Sequence, residues 1–342
     1  MDISSFKALN PNIKNGIYDN PTGKLYELDR ADLHVHINGA IPVSTIQDIF
    51  LDESTRLPPD FQINSDLLRL TPCRSLATYL SPWKVLRLFP KKRENLNRIS
   101  SAVIKSLAQH NIKFVELRSS LLYLASLQNC SPTQALERLL ESYRLACNRT
   151  DMRFGLVLTV TRGDQSLANL SALLQAYRNL GEPDDIVGID LAGDEEVSYP
   201  ADLPLLFRKA KDDFGLGITI HAGETGHVKN VREAVDLFRA DRIGHGIAAS
   251  QDPYLLDFLA EHDICIEVCP ISNRLTGAIP TDQPHPLLKF RHHQVPFVIC
   301  TDNPEIHQKS LVDDHISAIR EGLSMGDIYK QFDIAKHYSF IR

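Results

Sequence analysis

The segment Asp32-Leu33-His34-Val35-His36-Ile37 is a short β-rich apolar run, and seven further runs of this type follow it along the chain. Each run ends in a polar or glycine-bearing turn, after which the sequence takes on helical character. The eight runs span residues 32–37, 113–119, 153–162, 187–193, 217–223, 242–246, 265–270 and 296–303. Strands that alternate with helices indicate a parallel sheet. Eight such units predict an α/β fold in which the sheet closes into a (β/α)8 barrel of the TIM type.

The chain has 342 residues, and α/β barrels commonly reach this size undivided, so we predict a single domain over residues 1–342. The interval between the first two runs is far longer than one helix requires, and it contains several prolines and the single tryptophan, Trp83. We interpret the region around residues 42–110 as a helical insertion after the first strand. A long insertion over a barrel mouth is commonly a functional lid. The alternative is surface decoration without a role in binding.

The overall charge, the N-terminal residues and the length of the apolar runs exclude several classes of protein. The formal net charge is −6 and the sequence pI is about 6.1, whereas nucleic-acid binding needs a basic surface that displaces counterions. The first six residues lack the pattern of a secretory signal, and no apolar run is long enough to span a bilayer. The six cysteines form no C-x-x-C pair and are interpreted as free thiols. We expect a soluble, cytoplasmic protein that binds neither nucleic acid nor membranes, and the sequence leaves its oligomeric state open.

The first run brings two histidines to one face of a strand. Because side chains alternate along a strand, His34 and His36 point to one side, and Leu33, Val35 and Ile37 point to the other. In this fold the active site lies at the C-terminal ends of the strands, where two imidazoles can share one zinc ion. By itself the H-x-H pattern is weak, because histidines two residues apart also occur on ordinary surface strands.

Two further runs end in residues suited to the same site. His221 ends the fifth run, and Glu224 follows three residues later on the turn that leaves the strand. A carboxyl group that is partly desolvated beside a metal can hold a proton near neutral pH, as general acid–base catalysis requires. Asp302 ends the eighth run and can supply an oxygen ligand to zinc. The candidate metal ligands are therefore His34, His36, His221 and Asp302.

A histidine and a glutamate on adjacent predicted strands form a second candidate group. His245 stands between two glycines at the end of the sixth run, where close backbone approach leaves it beside the expected ligand space. A histidine satisfied by structural hydrogen bonds is the ordinary alternative. Glu267 lies on the seventh run, and a buried glutamate needs a partner. We predict that Glu267 orients His245 by a hydrogen bond without binding the metal itself.

Six segments together resemble the adenosine deaminase family of the amidohydrolase superfamily, and they occur in the family's order from the first strand to the last. The first thirty or so residues and the inserted region lie outside the resemblance. The segments are Leu33-His34-Val35-His36-Ile37-Asn38-Gly39-Ala40, Gly188-Ile189-Asp190-Leu191-Ala192-Gly193-Asp194-Glu195, His221-Ala222-Gly223-Glu224, Arg242-Ile243-Gly244-His245-Gly246, Glu267-Val268-Cys269-Pro270 and Cys300-Thr301-Asp302-Asn303-Pro304.

The resemblance implies a zinc-dependent hydrolase that deaminates an amino-purine at carbon six with a zinc-activated water. The ligands of the single zinc ion that it implies are His34, His36, His221 and Asp302. It further implies that His245 and Asp302 orient the water and take its proton, and that Glu224 protonates the adjacent ring nitrogen. The implied purine contacts are His36, Asn38, Gly193 and Asn303. The fourth and fifth runs contain no lysine that could bridge two metals, which favours one ion.

Two positions depart from the family pattern. Asn303 replaces an aspartate that bonds a purine ring nitrogen, and Asn38 replaces an aspartate that faces the ribose. The branch that acts on methylated AMP is similar in having asparagine at the second position, and it also resembles this chain over Glu116-Leu117-Arg118-Ser119. The segment from His221 to Glu224 resembles nucleoside deaminases instead. Loss of a carboxylate near the ribose lowers the electrostatic cost of a substrate phosphate.

The leading hypothesis is therefore deamination of adenosine or deoxyadenosine to inosine or deoxyinosine with release of ammonia. The first alternative is the same reaction on adenine, methylated AMP or another modified purine. The second alternative is a barrel that binds a purine without turnover, because a fold alone does not establish activity. The donor set does not distinguish zinc from iron or cobalt.

Overall fold

The computed structural model describes residues 21–342, and its centre is a single parallel sheet of eight strands. The strands are paired in the order β1-β2-β3-β4-β5-β6-β7-β8, so each strand lies beside the next one in the chain. Their bounds are β1 (Arg30–His36), β2 (Ile112–Ser119), β3 (Arg153–Thr161), β4 (Ile186–Ala192), β5 (Gly217–Ala222), β6 (Arg242–His245), β7 (Cys265–Val268) and β8 (Phe297–Ile299). Each strand coincides with one predicted run, and the (β/α)8 barrel is confirmed.

The first and last strands approach each other where the barrel closes. Val35 and Asp302 form an isolated parallel bridge. The backbone N–H of His36 donates to the Asp302 carbonyl at 2.9 Å, and the N–H of Asp302 donates to the His34 carbonyl at 2.8 Å. Strand β8 itself ends at Ile299, earlier than the predicted run. The bridge therefore fixes Asp302 beside both histidines of β1.

Helices surround the sheet, and short ones occupy its C-terminal side. Within residues 21–342 they are α1 (Pro21–Glu27), α2 (Val43–Asp52), α3 (Ile63–Asp66), α4 (Leu76–Tyr79), α5 (Trp83–Leu86), α6 (Arg93–Ala108), α7 (Leu121–Leu127), α8 (Pro132–Cys147), α9 (Ser166–Asn179), α10 (Leu203–Phe214), α11 (Val228–Asp236), α12 (Pro253–Glu261), α13 (Pro270–Leu275), α14 (Leu287–His292), α15 (Pro304–His307), α16 (Leu311–Arg320), α17 (Met325–Tyr329) and α18 (Gln331–Tyr338). In this part of the chain, no helix has both the length and the apolar character that a bilayer crossing would require.

Local sequence explains where the outer helices begin. At the start of α8, Ser131 Oγ accepts a hydrogen bond from Gln134 N at 3.2 Å, and Gln134 Oε1 accepts one from Ser131 N at 3.0 Å. Pro132 occupies the first helical turn, where its missing N–H costs nothing. The helix then buries one apolar face at helical spacing. That face consists of Ala135, Leu136, Leu139, Leu140 and Tyr143.

The segment between β1 and β2 folds into the helices α2 to α6, of which α3, α4 and α5 have only four residues each. Its longest helix, α6, turns a buried face that includes Leu96 and Val103 toward the apolar core. The region predicted around residues 42–110 is thus helical, whereas its role as a lid stays a prediction.

The interior of the barrel is unusually rich in charged groups. Barrels of this type are commonly filled by layers of branched apolar side chains. Here the polar residues on the strands that are at most 2 % exposed are Arg30, Asp32, His34, Glu116, Arg118, Asp190, Thr219, Arg242, His245 and Glu267. Buried charges are tolerated only where each is paired or hydrogen bonded, so each of the charged residues requires a polar partner.

Candidate metal centre and active site

Four side chains from three parts of the barrel converge at the C-terminal ends of the strands. His34 and His36 come from β1, His221 from β5, and Asp302 from the segment after β8. His221 Nε2 lies 3.1 Å from His34 Nε2 and 3.2 Å from His36 Nε2. Asp302 Oδ1 lies 3.6 Å from His34 Nε2 and 3.4 Å from His36 Nε2.

These separations fit one tetrahedral metal ion. Zinc binds imidazole nitrogen and carboxylate oxygen at about 2.0–2.2 Å, which places neighbouring ligand atoms of a tetrahedron roughly 3.3–3.5 Å apart. The bonding of the opposite ring nitrogens adds a chemical argument. His34 Nδ1 is 2.8 Å from Glu267 Oε2, and His221 Nδ1 is 2.9 Å from Asp190 Oδ1. Each Nδ1 therefore carries the proton, and the two Nε2 lone pairs face each other, which a cation between them would stabilise.

Both histidines are held in the neutral form that binds metals. Burial, and then the charge of Arg118, lowers the pKa of His34 and of His221 well below the usual value. Arg118 is fully buried, and it donates through Nη2 to Glu267 Oε2 at 2.5 Å while its Nε lies 3.4 Å from Asp190 Oδ2. One guanidinium thus supports both carboxylates that orient the histidines.

The predicted pairing of Glu267 with His245 is wrong. Glu267 hydrogen bonds to His34 instead, although β7 and β6 are neighbours. In the register of these strands Glu267 lies opposite Gly244, one residue before His245. A Cβ at Gly244 would lie 3.2 Å from His34 Cε1. Because Gly244 has no side chain, the His34 ring fits beside it and reaches Glu267. Side chains inside a barrel can also meet across the barrel axis.

His245 contacts a residue that the sequence did not single out. Asn273, on α13, donates through Nδ2 to His245 Nδ1 at 3.1 Å. His245 Nε2 lies 3.8 Å from Glu224 Oε2, and its ring centroid lies 5.0 Å from that of His34. Burial lowers the pKa of His245, so the ring is neutral. Its backbone has a φ of 64°, and that of Asp302 has a φ of 65°, which is a region that non-glycine residues rarely adopt.

Glu224 lies on the turn after β5, and its side chain is 9 % exposed. Burial, together with the charge of Glu195, raises the pKa of Glu224 to about 8. The same Glu195 holds the turn, since its Oε2 accepts from Gly223 N and its Oε1 from Glu224 N, both at 2.7 Å. A carboxyl group with this pKa retains its proton near neutral pH and can act as a general acid.

Asp302 has a supporting partner as well. Ser272 Oγ, at the start of α13, donates to Asp302 Oδ2 at 2.6 Å. The other oxygen, Oδ1, faces His34 and His36. The carboxylate is therefore oriented by the fold with one oxygen available to a metal ion.

The four predicted purine contacts have different surroundings. His36 keeps 19 % of its side chain exposed, so it borders the open part of the site. Asn38 lies in a 3₁₀ turn, Ile37–Ala40, and donates through Nδ2 to the Leu86 carbonyl at 3.3 Å. Gly193 follows β4 with a φ of 96°, which favours glycine. These three positions surround the ligand cluster at the ends of β1 and β4.

Asn303 contacts a tyrosine from the helical region after β1. Its Nδ2 donates to the Tyr79 hydroxyl at 2.9 Å, and a Cβ at Gly39 would lie 1.9 Å from its Oδ1. The Tyr79 hydroxyl also lies 2.7 Å from His307 Nε2 and 3.4 Å from Asp302 Oδ2. Asn303 Nδ2 is therefore already engaged within the protein, whereas its buried Oδ1 has no hydrogen-bond partner among the described residues. No sequence pattern indicated Tyr79, which is more than two hundred residues away along the chain.

Replacement of Asp190 by asparagine tests the support of His221. The amide cannot hold the Nδ1 proton as strongly as a carboxylate, so we expect zinc affinity to fall about 10- to 100-fold with the fold retained. The measurement is a zinc titration in competition with a chromophoric chelator. Asp185→Asn, which removes a partner of Arg144 whose side chain is 26 % exposed, is the matched control. Equal zinc affinity in both variants would contradict this role of Asp190.

Comparison with known proteins adds independent information. Residues 29–337 match the family model described as adenosine deaminase. A protein of Clostridium botulinum named adenosine deaminase is 30% identical over 291 residues, which cover 84% of this chain and 86% of that protein. Among solved structures, an amidohydrolase of Burkholderia ambifaria with bound Zn has a TM-score of 0.83 at 21% identity, covering 97% of this chain and 91% of the other. Arabidopsis ADAL complexed with GMP has a TM-score of 0.79 at 23% identity, with 94% of each chain covered. The two structures show the same fold.

Proposed function

Because this chain belongs to the adenosine deaminase family, which makes it a hydrolytic deaminase of purines, we propose that it converts adenosine or deoxyadenosine to the inosine form and ammonia. The observation that carries this proposal is the convergence of His34, His36, His221 and Asp302 at ligand spacing. Glu224 lies close by, 3.8 Å from His245. The curated relatives named adenosine deaminase support the choice of nucleoside.

We propose that one zinc ion is the resident cofactor. The residues that would hold it are His34, His36 and His221 through Nε2, and Asp302 through Oδ1. Three imidazoles and one carboxylate form a donor set that zinc accepts readily. When bound, the ion supplies a nucleophilic water near neutral pH. The solved amidohydrolase of the same fold contains bound Zn, which supports zinc as the metal.

The protein groups around the cluster divide the proton transfers between them. Asp302 and His245 orient the attacking water, and Asp302 accepts its proton. Glu224 donates a proton to the purine ring nitrogen beside carbon six, which lets the ring accept the electron pair as the carbon–oxygen bond forms. The proton held by Asp302 then passes to the amino group, and ammonia leaves as the carbon–nitrogen bond breaks. The new oxygen on carbon six loses its remaining proton, which restores the proton of Glu224. His245 and Asp302 are buried and the Glu224 side chain is 9 % exposed, which strengthens these interactions because little water competes with them.

The pH profile should reveal the proton on Glu224. A general acid works in its protonated form, so kcat/KM is expected to be constant below the raised pKa of Glu224, about 8, and to fall as the pH rises through it. The measurement is kcat/KM for adenosine from pH 6 to pH 10 at saturating zinc. Removal of the nearby charge in Glu195→Gln should move the alkaline limb to lower pH. A flat profile, identical in both proteins, would exclude Glu224 as the acid.

A nucleoside monophosphate is the second candidate substrate. Asn38 places no carboxylate at its position, and it borders a recess that Arg87, Ser119 and Ser120 also line. No carboxylate is among the described residues of this recess, and Arg87 stacks on the Tyr123 ring at 4.4 Å from its centroid. A guanidinium and two hydroxyls suit a phosphate group. Arabidopsis ADAL, whose structure contains GMP, supports this alternative.

Release of the amine by the zinc-loaded protein distinguishes these substrates: ammonia from adenosine, deoxyadenosine, adenine and AMP, and methylamine from N6-methyl-AMP. Each substrate is tested with unsubstituted protein and with Arg87→Met. We expect turnover of the two nucleosides, unchanged by Arg87→Met because that side chain does not contact the metal cluster. Preference for a monophosphate, lost in Arg87→Met, would establish the second candidate instead. Purine binding without release of either amine would favour a binding protein.

We also propose that the helices after β1 cover the site as a lid within one domain. Tyr79 ends α4, and its hydroxyl bonds to Asn303 and His307 behind the metal cluster. Trp83 packs near Tyr79, with ring centroids 5.9 Å apart. Contacts of this kind connect the helical region directly to the end of β8, so movement of the region would open the site.

A further inference from the structure

A continuous chain of buried charges runs through the barrel toward the metal cluster. Arg242, the first residue of β6, pairs through Nη2 with Glu116 Oε2 and donates through Nε to Glu267 Oε1 at 2.7 Å. The other oxygen of Glu267 is hydrogen bonded to His34 Nδ1 at 2.8 Å. The side chains of all four residues are at most 1 % exposed. We call Glu116, Arg242 and Glu267 the ion chain.

Residues 338–340, at the end of α18 and directly after it, bind the end of the ion chain that lies away from the metal cluster. Glu116 Oε1 accepts hydrogen bonds from Ser339 Oγ at 2.9 Å and from Phe340 N at 2.6 Å. Arg242 Nη1 donates to the Tyr338 carbonyl at 2.7 Å. Residues 338–340 therefore satisfy the polar atoms of the ion chain that neighbouring strands leave free.

The Phe340 ring covers the ion chain and packs against two glycines on neighbouring strands. Its centroid lies 3.6 Å from Arg242 Cζ, a cation–π contact. Gly188 of β4 and Gly217 of β5 are paired in register. A Cβ at Gly217 would lie 2.4 Å from the ring, and one at Gly188 would lie 2.8 Å from it. The two strands thus have glycine at the positions where the ring rests on their backbone.

We propose that Phe340 and Ser339 are positioning residues for the metal centre, acting through the ion chain on His34. They keep water from the N-terminal end of the barrel, so Glu116 and Arg242 hold Glu267 in one orientation. Glu267 in turn fixes the His34 ring and increases the basicity of its Nε2, on which the strength of a metal bond depends. The inference rests on the proposed metal centre and concerns residues at the opposite end of the strands.

A purely structural role of Ser339 and Phe340 and a positioning role predict different results. If the two residues only stabilise the fold, their substitution lowers the free energy of unfolding and leaves the zinc affinity of folded molecules unchanged. A positioning role requires that the zinc affinity of folded protein also fall. Zinc affinity measured well below the unfolding temperature therefore separates the two.

The experiment is a zinc titration of Phe340→Ala, Phe340→Tyr and Phe214→Ala in competition with a chromophoric chelator, with thermal unfolding of each zinc-free protein. Phe214 is the matched control, because it is a partly buried phenylalanine on an outer helix with Arg178 Cζ 6.0 Å from its ring centroid. We expect Phe340→Ala to weaken zinc binding about 10-fold, and Phe340→Tyr, which keeps an aromatic ring over Arg242, to restore it. Phe214→Ala should lower Tm but change zinc affinity by less than about twofold.

A second variant covers the case in which Phe340→Ala does not fold. Ser339→Ala removes a single hydrogen bond to Glu116 and should weaken zinc binding about threefold. Zinc affinity equal to that of the unsubstituted protein in Phe340→Ala, or in Ser339→Ala if only that variant folds, would overturn the inference while the metal centre stands. Failure of the unsubstituted protein to bind zinc would overturn the metal centre and the inference together.

Discussion

Replacement of Glu224 by glutamine is expected to lower kcat for adenosine by about 10²- to 10⁴-fold, the usual contribution of a general acid. Glutamine has nearly the same shape but no acidic proton, so the purine ring nitrogen cannot be protonated as the attack proceeds. The raised pKa of about 8 that burial and Glu195 give to Glu224 means that the proton is present at neutral pH. KM and zinc content should change little, because the side chain is not among the four proposed ligands.

The measurement is steady-state ammonia release together with the zinc-to-protein ratio of the purified variant. Glu196→Gln is the control, since this glutamate, which follows Glu195 in the chain, is more than half exposed and, among the described residues, pairs with His227. A Glu224→Gln protein with full zinc and near-normal kcat would refute the assignment of the acid. A variant that had lost its zinc would show instead that Glu224 supports the metal cluster.

Removal of the metal ion is expected to abolish turnover and to destabilise the fold at the same time. Without a cation, His34 Nε2 and His221 Nε2 present lone pairs to each other at 3.1 Å, which is unfavourable in a buried site. Dialysis against a chelator should reduce ammonia release to background, and addition of zinc should restore it. Zinc at a free concentration of about 100 times its Kd should add about 2.7 kcal/mol to the free energy of unfolding.

Two histidine substitutions distinguish stabilisation by zinc at this site from nonspecific binding of zinc elsewhere. His221→Ala removes one ligand and should lose both zinc stabilisation and turnover, whereas His262→Ala alters an exposed histidine that stacks on Phe258 and should lose neither. Cobalt and iron are added in parallel, because the donor set accepts several divalent ions. Full activity of the protein after its metal has been removed by the chelator would disprove the metal dependence.

The repeating sequence pattern was sufficient for the barrel and for most of the cluster. Strand periodicity alone places His34 and His36 on one face, and the position of a residue at a strand end determines its level in the barrel. The structure places Asp302 at the same end of the barrel even though β8 stops at Ile299, because the bridge to Val35 continues the strand direction. Sequence periodicity and fold class together therefore determine which side chains meet.

Partners of these side chains could not be inferred in the same way. Adjacent strands suggested that Glu267 supports His245, but the partner of Glu267 is His34, two strands away. The choice depends on the space at Gly244 and on the attraction of Arg118, and strand order reveals neither. Asp190 gave a usable signal, because a single carboxylate within an otherwise apolar run must be paired when buried. Tyr79 gave none, since only the path of the helical region brings it to Asn303.

Two residues of the site, His245 and Asp302, have left-handed backbone conformations with φ of 64° and 65°. Each such conformation in a non-glycine residue costs of order 1–3 kcal/mol, comparable to a sizeable share of the stability of an ordinary domain. Selection for stability alone would replace both by glycine, or by asparagine, which tolerates this region better. Laboratory evolution toward heat resistance without zinc would therefore tend to erode these two positions, and thermostable descendants of this barrel could be obtained that fold well but no longer turn over a substrate.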